Sequence, residues 1–432
     1  MVERVYGTTV IPSDQITVVG GGTIAISTAF AQDAGLVGGM DVENGTGESG
    51  EVYELRSVSR AVDLFGEDSE LARVVRAAIS NGVQTVYAVG VPETEATEED
   101  TSDSGTLENA PLFDPNVHPD HEISVTAGTE TPDVRIVYDS PVPADADEDE
   151  VLINPITGEW AADESDTYEF VYTYGSYTEA INDVADRVPR ILAVCTESND
   201  IANELAETLN SNATEFDFTH GVVGAQPELD PTGFELLQDE PRLSVVAPAR
   251  SFTDDAQTRQ VRTAAAVGGH LASLPLGSSS TYDSLSGLTG LAETYSPNDA
   301  GSLIDEGVLP VMRDGRILVV KDMTTADDVR FERVYSNEIV DEATEISHLI
   351  SQQFIGELNT ETNREDLLDS HDSAYLEMKN DRPPLLDNYS VDVNDTGGNV
   401  VELTIGLDVV NVIDNIEVQI VVGDVITNGG AE

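Results

Sequence analysis

Apolar positions recur in two patterns through most of the chain, and together they predict an α/β core. Residues 52–55 and 85–91 are short apolar runs of the kind that form strands. Between them, residues 57–66 and 69–79 place apolar side chains three and four positions apart, which predicts two helices with one apolar face each. Asn81-Gly82 follows the second helix and supplies a glycine for its C-cap.

The same alternation of strands and helices returns after residue 176. Helices with one apolar face are predicted over residues 177–185, 200–209, 259–274 and 299–307. Strands or strand-like runs are predicted over residues 191–194, 216–218 and 243–247. These elements extend the α/β core along the chain.

Between residues 93 and 176 the pattern changes to short strands separated by turns. Strands are predicted over residues 123–126, 134–138, 151–154 and 168–174, a spacing that suggests a small antiparallel β-sandwich. Because the α/β pattern resumes afterwards, we expect the sandwich to be an inserted domain. Residues 93–103 are rich in Glu, Thr and Ser and are interpreted as a solvated linker or loop.

The last hundred residues predict two helices. One face of the first helix is apolar, at Ile339, Ala343, Ile346, Ile350 and Phe354. Residues 362–365 have the form of a capping box that starts the second helix. The inward positions of that helix are Leu368, His371, Tyr375 and Met378.

Three strands follow these helices, because apolar residues alternate over 389–393, 401–409 and 416–422. The last strand either completes its own sheet or pairs with a neighbouring chain. Residues 1–20 also carry apolar positions, too few for a core, and a free arm of this kind either frays or docks as a strand elsewhere. The candidate inter-subunit arm residues are Val2, Val5, Tyr6, Val10, Ile416, Val418, Ile420 and Val422.

The charge balance is strongly acidic. The 432 residues include 82 Asp and Glu against 20 Lys and Arg, for a formal net charge of −62, yet 40% of the residues are hydrophobic. A folded protein with this charge repels itself in dilute buffer, whereas in molar salt the Debye length falls to about 3 Å. We therefore expect a protein made in a high-salt cytoplasm. The same charge argues against nucleic acid and anionic membrane surfaces as partners.

Cys195 is the only cysteine, so the chain has no internal disulfide and no cysteine zinc cluster. It lies in the apolar run 191–195, where a small buried side chain is expected. The N-terminus lacks the basic and apolar regions of a secretory signal, and no apolar run reaches the roughly 18 residues of a membrane span. We therefore expect a soluble chain.

One glycine-rich stretch resembles a nucleotide-binding motif of enzymes. Gly20, Gly22 and Ala25 match the G-x-G-x-x-A form of the dinucleotide-binding fingerprint. That fingerprint needs a helix directly after the glycines, so that the helix N-terminus faces a pyrophosphate. Residues 23–30 instead alternate in a way that favours a strand. A glycine turn before a buried strand is preferred, and a dinucleotide-dependent oxidoreductase that uses NAD or FAD is the alternative function.

Two short clusters, one of aspartates and one of histidines, resemble metal sites. Asp145, Asp147 and Asp149 imitate the start of an EF-hand loop, but Glu150 and Ile156 stand where the loop needs glycine and glutamate. A solvated acidic loop is therefore favoured, and no metal is assigned.

The remaining candidates are histidines and serines. His118 and His121 have no third ligand nearby in sequence, so a proline-containing turn is favoured. His270 is expected to pack on a helix face, since no acid is spaced to partner it. The serines 278–280 lack the surroundings of a nucleophile elbow. No catalytic, cofactor-binding or metal-ligating residue is assigned.

From residue 275 onward, the order of features resembles the tail sheath protein family of contractile phage tails and related contractile injection systems. In the segment 288–325, Gly315, Val319 and Thr324 fit the end of a family motif, whereas residues 322–323 depart from it. Upstream, the helix ending in Leu64-Phe-Gly66 and the elements up to residue 91 are similar to the family pattern, as are the C-terminal helices and strands.

The resemblance implies a structural subunit and no enzyme. Sheath subunits of that family form stacked hexameric rings around a tail tube, their arms add strands to neighbouring C-terminal sheets, and the sheath contracts to drive the tube through a target envelope. The implied partners are further copies of the chain, a tail tube protein, and baseplate and tail-terminator proteins, with no cofactor and no membrane in the resting assembly. The implied location is a virion tail or a cytoplasmic injection particle. The acidic charge further indicates that the virus or its host is haloarchaeal.

The expected fold class is a multidomain α+β and α/β chain. Its predicted parts are an N-terminal arm (1–20), an α/β sheath core (21–92 and 177–325), an inserted sandwich that decorates the outside (93–176) and a C-terminal domain with a terminal strand arm (326–432). A surface-binding module built on the sandwich is a further hypothesis.

Overall fold

The computed structural model describes residues 32–412, except 42–43, 119–120, 139, 144–145, 148, 165, 228–238, 258 and 398. The strands are β1 (Asp33–Gly38), β2 (Val52–Leu55), β3 (Thr85–Gly90), β4 (Glu93–Asp100), β5 (Ser104–Thr106), β6 (Ser124–Ala127), β7 (Asp133–Ile136), β8 (Glu150–Ile153), β9 (Glu159–Ala162), β10 (Tyr168–Gly175), β11 (Ile191–Val194), β12 (His220–Gly224), β13 (Leu243–Ala247), β14 (Arg250–Phe252), β15 (Gln260–Arg262), β16 (Gly290–Leu291), β17 (Val308–Asp314), β18 (Arg316–Val319), β19 (Leu386–Asp395) and β20 (Val401–Val409). The helices are α1 (Val58–Phe65), α2 (Glu70–Ser80), α3 (Tyr177–Ala185), α4 (Asn199–Ala213), α5 (Thr263–Ser273), α6 (Pro297–Asp305), α7 (Val334–Phe354) and α8 (Glu361–Asn380).

The largest sheet has eight strands in the order β18-β17-β13-β12-β11-β1-β3-β2. The strands from β17 to β3 run parallel, and β18 and β2 pair antiparallel at the two edges. β11, β12 and β13 are buried along their whole length, so their sequences show no alternation of apolar and polar residues. The strands predicted at 52–55, 85–91, 191–194 and 243–247 are confirmed.

Helices cover both faces of this sheet, with α2 and α5 on one face and α3 and α4 on the other. α2 begins at Ser69, whose side chain accepts a hydrogen bond from the N–H of Ala72 at 3.1 Å and so caps the helix. α2 and α5 approach closely at Gly269, where a Cβ atom would lie 2.5 Å from the Cα of Ala78. The close approach therefore requires glycine at that position.

Most helices predicted for the core are confirmed, and two neighbouring predictions are wrong. Residues 216–218 form no strand, because the chain turns there with Phe216 at a φ of 70° and β12 begins only at His220. The helix predicted from residue 259 begins at Thr263, because the residues before it form β15 and pair with β14.

Residues 93–175 contain two small sheets, β4-β10-β6 and β5-β9-β8-β7, around an apolar core that includes Trp160, Phe170 and Tyr172. The strands predicted at 123–126, 134–138, 151–154 and 168–174 are present. β7 and β8 run parallel, so the prediction of a purely antiparallel sandwich is wrong at that pair. The segment leaves the core and returns to it at adjacent points, where the N–H of Ser176 donates to the carbonyl of Pro92 at 3.0 Å.

The interpretation of residues 93–103 as a solvated loop is wrong. Glu93–Asp100 is strand β4, and each of its eight residues pairs with β10. Its acidic side chains stay exposed or half-buried, which is why the sequence shows no apolar alternation there. Charged side chains on an edge strand of this kind discourage pairing with other chains.

α7 and α8 pack side by side and carry the hairpin β19–β20. The apolar face predicted for α7 is confirmed at Ile339, Ala343, Ile346 and Ile350. In α8 the inward leucine is Leu367, and the prediction of Leu368 is wrong.

The predicted start of α8 is also wrong. Its N-cap is Thr360, whose side chain accepts from the N–H of Asn363 at 3.2 Å, because the helix begins earlier than the box at 362–365. Within the described ranges, no helix combines the length and the apolar character needed to cross a membrane.

Candidate assembly interface

The hairpin β19–β20 is the part of the described chain best suited to bind a further strand. Its two strands pair only with each other among the described residues, so both outer edges lack a strand partner there. Alternate residues of an antiparallel strand direct their N–H and C=O groups away from the partner, and these groups are available to a third strand. The face that covers the helices is apolar, at Tyr389, Val391, Val393, Val401, Ile405, Leu407 and Val409.

The opposite face of the hairpin is exposed and polar, with Asp392, Glu402 and Asp408 on it. Beneath the apolar face, Tyr375 of α8 is completely buried, and its hydroxyl donates to the carbonyl of Ala343 at 3.0 Å. Burial raises the pKa of Tyr375 to about 12, so the hydroxyl keeps its proton and its hydrogen bond. The hairpin therefore rests on a firmly bonded helix pair.

The candidate arm residues lie outside the described residues. They are Val2, Val5, Tyr6, Val10, Ile416, Val418, Ile420 and Val422, and their pairing with any sheet stays a prediction. Gly20, Gly22 and Ala25 also lie outside the described residues. No contact of the described chain supports the oxidoreductase alternative.

Two arginines fix α7 to the amino-terminal edge of the parallel strands. Arg190 directly precedes β11, and its guanidinium donates to both carboxylate oxygens of Glu338 at 2.8 Å each. Arg242 directly precedes β13 and donates two hydrogen bonds to Asp341, one of them at 3.1 Å. Glu338 and Asp341 lie three residues apart on one face of α7. Paired geometry of this kind is the strongest form of Arg–carboxylate contact.

His220 begins β12, the strand between β11 and β13. Burial, followed by the nearby charges of Arg242 and Arg190, lowers the pKa of His220 to about 3, so its ring is neutral near pH 7. Its Nε2 lies 2.8 Å from the Oγ of Ser244, and that hydroxyl donates to the carbonyl of Met323 at 2.5 Å. Because the Ser244 hydroxyl donates its proton to Met323, the imidazole of His220 is the donor in the contact between His220 and Ser244. This arrangement suits a structural hydrogen bond and not a general base.

The carboxyl-terminal edge of the same strands holds a buried cluster of charges. Glu197 follows β11 and accepts hydrogen bonds from both Arg250 and Arg262. Arg262 also donates to Glu70 at 2.9 Å, and a second oxygen of Glu70 accepts from the N–H of Gly39, just after β1. Ligands of α/β folds generally bind beyond this edge of the sheet. Here paired side chains fill the position.

Residues of the inserted segment complete this cluster. Asp114 lies 3.5 Å from Arg250, whose guanidinium sits over the ring of Tyr138 at 3.5 Å. The Nε2 of His118 lies 3.4 Å from Glu70. Burial alone raises the pKa of Glu70, but His118 and Arg262 outweigh it and lower that pKa to about 2. The cluster therefore joins the inserted sheets to the core through buried polar and ionic contacts.

The cysteine and the histidines singled out from the sequence are buried or lie next to carboxylates. Cys195 is fully buried, and burial raises the pKa of its thiol, which confirms the expected small buried side chain. His121 lies 3.4 Å from Glu93. His270 lies 3.1 Å from Asp283, so the expectation that no acid partners this histidine is wrong. The two residues meet because the chain folds back after α5.

The remaining candidates also hold no recognisable reactive group. Ser279 donates to Asp322 at 2.8 Å, within a buried contact to Arg333. Asp145 lies outside the described residues, and Asp147 and Asp149 lie within them. In the part of the chain that the structure describes, no three His, Cys, Asp or Glu side chains are grouped to hold a metal ion.

Sequence reasoning missed both ionic clusters. A signal was present, because all basic residues except Lys321 and Lys379 are arginines. Arg190 and Arg242 each stand directly before an apolar run, which places a guanidinium at the end of a buried strand. The acids that pair with them are distant in sequence, so the pairs themselves leave no local pattern.

No protein-family model matches the chain, and no curated protein is similar to it in sequence. Solved structures are similar to it over nearly all its length. The sheath complex of PVC, an extracellular contractile injection system, in its contracted state has a TM-score of 0.59 and 13% identity, covering 96% of this chain and 99% of that one. The helical sheath of the anti-feeding prophage in its contracted state has a TM-score of 0.58 and 12% identity, covering 98% and 100%.

A sheath tail protein from Desulfitobacterium hafniense is also similar, with a TM-score of 0.54 and 11% identity over 89% of this chain and 97% of that one. The resemblance stated from the sequence is therefore confirmed for the fold, a mixed α and β architecture with several sheets. The chain has the fold of the tail sheath proteins of contractile injection systems.

Proposed function

We propose that this chain is the structural subunit of a contractile tail sheath, which polymerises as stacked hexameric rings around a tail tube. The observation that carries the proposal is the likeness to two contracted sheaths over 96% and 98% of the chain. A likeness that extends over whole chains covers the core, the inserted sheets and the C-terminal hairpin together.

The hairpin edges, which have no strand partner among the described residues, support polymerisation. A two-stranded sheet is marginal by itself and gains stability when further strands join it. The apolar residues Val2, Val5, Tyr6 and Val10 of one subunit, and the run from Ile416 to Val422, are proposed to supply those strands to neighbouring hairpins by β-augmentation. One heterologous contact of this kind, repeated from subunit to subunit, builds a helical tube.

The sheath is proposed to contract when its subunits, which are rigid bodies joined by these strands, change from one packing arrangement to another. The proposed bodies are the core (21–92 and 177–325), the outward-facing inserted sheets (93–176) and the C-terminal part (326–432). Proposed partners are the tail tube, the baseplate and the tail terminator. The net charge of −62 supports a particle assembled in a high-salt host, either a virion tail or an injection particle. The proposal includes no catalytic step.

Electron microscopy of the full chain, purified in molar salt, tests the function. We expect tubes or stacked rings, and a persistently monomeric chain under all assembly conditions would argue against a sheath.

A pair of serine variants tests the role of the N-terminal arm in assembly. A variant with Val2, Val5, Tyr6 and Val10 all changed to serine should stay folded and form no tubes. The matched control changes polar residues of the same segment, Glu3, Arg4, Thr8 and Thr9, to serine and should assemble normally. Tubes from the first variant would refute the role of the arm without refuting the sheath.

A further inference from the structure

The apolar face of the hairpin β19–β20 is only partly covered. The helix side chains of the same apolar cluster, among them Ile346, Ile350 and Tyr375, are buried, whereas the hairpin side chains are half-buried. These half-buried side chains are Tyr389, Val391, Val393, Val401, Ile405, Leu407 and Val409. A two-stranded sheet is marginal in water, and a third strand with an apolar face would add cover at its side. The hairpin therefore has both a free edge among the described residues and apolar area for one more strand.

The chain stays on this part of the molecule after β20 ends. The N–H of Val410 donates to the carbonyl of Leu385 at 3.1 Å, and the N–H of Val412 donates to the hydroxyl oxygen of Tyr335 at 3.4 Å. The side chain of Val412 packs on the same apolar cluster as the hairpin. The last described residue is therefore held against the helix pair, next to the end of β20.

The sequence that follows has the pattern of the third strand. Apolar residues occupy every second position of the segment 416–422, and Glu417 and Gln419 lie between them. The apolar positions are Ile416, Val418, Ile420 and Val422. β20 has the same pattern, since its half-buried residues alternate with exposed ones. Side by side, the two strands would turn their apolar side chains to the helices and their polar side chains to solvent.

The position of residue 412 indicates which edge of the hairpin this segment can reach. β19 lies mainly on α8, whereas β20 lies on α7. Val412 contacts Tyr335 of α7, so the chain leaves the hairpin on the side of β20. Residues 410–415 connect β20 to the segment, and about 4–6 residues is the usual length of a connection between neighbouring elements. The segment can therefore turn back along the outer edge of β20, antiparallel to it.

We propose that residues 416–422 of the free subunit pair with the outer edge of β20 in their own chain, and that assembly exchanges them for the same segment of a neighbouring subunit. The exchange rests on the proposed function, whereas closure of the free chain does not. A short connection gives an effective concentration in the millimolar range, well above the micromolar concentration of free subunits. The unassembled chain therefore pairs with itself first, which covers an edge that would otherwise aggregate. Both forms make the same strand contact, so the exchange costs little free energy.

Disulfide trapping in the full chain tests the closed form. With Ile416 beside Val409, Glu417 lies opposite Asp408 on the polar face, so the variant Asp408→Cys/Glu417→Cys removes no apolar contact. Cβ atoms of residues opposite each other lie about 4.5–5.5 Å apart, close to the span of a disulfide. Oxidation at micromolar concentration in molar salt should give an intrachain disulfide, seen as a monomer without its two new thiols. Cys195 is buried and takes no part. The variant Asp408→Cys/Gln419→Cys covers a pairing displaced by two residues.

The matched control is Asn388→Cys/Glu417→Cys. Asn388 pairs with Asp408 in the hairpin, so it lies at the same level but one strand further from the proposed position of Glu417, roughly 10 Å away. This control should form the intrachain disulfide about tenfold less or lower, because the two Cβ atoms are too far apart. Equal yields in the control and the test variants, or disulfides only between chains, would overturn the closed form.

The same variant tests the exchange. Oxidised Asp408→Cys/Glu417→Cys should form no tubes, and reduction of its disulfide should restore assembly to the level of the wild type. Tubes from the fully oxidised chain would overturn the exchange. The outcome for the sheath itself stays separate. A wild type without tubes, together with the intrachain disulfide, would argue against the sheath and support the closed chain, whereas wild-type tubes without that disulfide would refute the closed chain alone.

Discussion

Arg250 donates two hydrogen bonds to Glu197, at 2.5 and 2.6 Å, although the Glu197 side chain is completely shielded from solvent. Removing one partner of a buried ion pair leaves the other charge uncompensated, which typically costs about 3–5 kcal/mol. We therefore expect Glu197→Gln to lower the free energy of unfolding by about that amount. Denaturant unfolding in molar salt measures the change.

The control for this prediction is a surface pair. Glu54 lies 2.8 Å from Arg56, with side chains 51% and 74% exposed, and exposed pairs contribute about 1 kcal/mol or less. Glu54→Gln removes the same charge and should change the stability little. Similar losses in the two variants would show that the buried position of Glu197 has no special importance.

A second prediction concerns the close approach of α2 and α5. A Cβ at Gly269 would meet the Cα and carbonyl oxygen of Ala78 at 2.5 and 2.7 Å, and these backbone atoms move only if the helices separate. Gly269→Ala should therefore destabilise the protein by about 1–3 kcal/mol, as overpacking does. Gly301 in α6 has nothing within 4 Å of the same position, so Gly301→Ala should stabilise by up to about 1 kcal/mol. Thermal unfolding compares the two, and a stabilising Gly269→Ala would contradict the observed packing.

A third prediction concerns acid sensitivity at His220. Its pKa is lowered from 6.5 to about 3, so the fold holds the neutral ring while the unfolded chain takes up a proton first. The stability that this ring contributes is complete above its ordinary pKa and is lost as the pH falls from about 6.5 towards 3, by about 1.4 kcal/mol per pH unit. Burial is the main cause, and Arg242 and Arg190 add to it.

The comparison that isolates His220 is with His220→Gln, because the other titrating groups are common to both proteins. The difference in unfolding free energy between the wild type and the variant should shrink steadily as the pH is lowered from 6.5. A difference that stays constant over this range would mean that His220 does not titrate on unfolding.

The elements that sequence predicted well are those whose order is set by apolar periodicity. β11 and α7 are examples, since a fully buried strand reads as a continuous apolar run and a half-buried helix repeats every three or four residues. β4 was missed because its eight residues are nearly all polar, and only its pairing with β10 makes it a strand. The register of that pairing is a long-range property without a local signature.

The ionic contacts around the sheet could not be predicted from the sequence, for the same reason. Arg262 and Glu70 pair across 192 positions of sequence, and Arg190 and Glu338 across 148. Their pairing follows from the topology, which brings Arg262 and Glu70 to the carboxyl-terminal edge of the sheet and Arg190 and Glu338 to its amino-terminal edge, and that topology must be known first. The candidate hairpin was predictable because the alternation over 401–409 is local.

The inserted sheets are joined to the core by two neighbouring chain segments, at Pro92 and Ser176, so a short turn would reconnect the core if the residues between them were deleted. Such a deletion would also remove partners of buried charged groups in the core. Without Asp114 and His118, one face of the Arg250 guanidinium and one oxygen of Glu70 would open to solvent at the end of the main sheet. Related chains without the insertion therefore need a different set of side chains at this edge, and changes at Glu70 and Arg250 should accompany its loss.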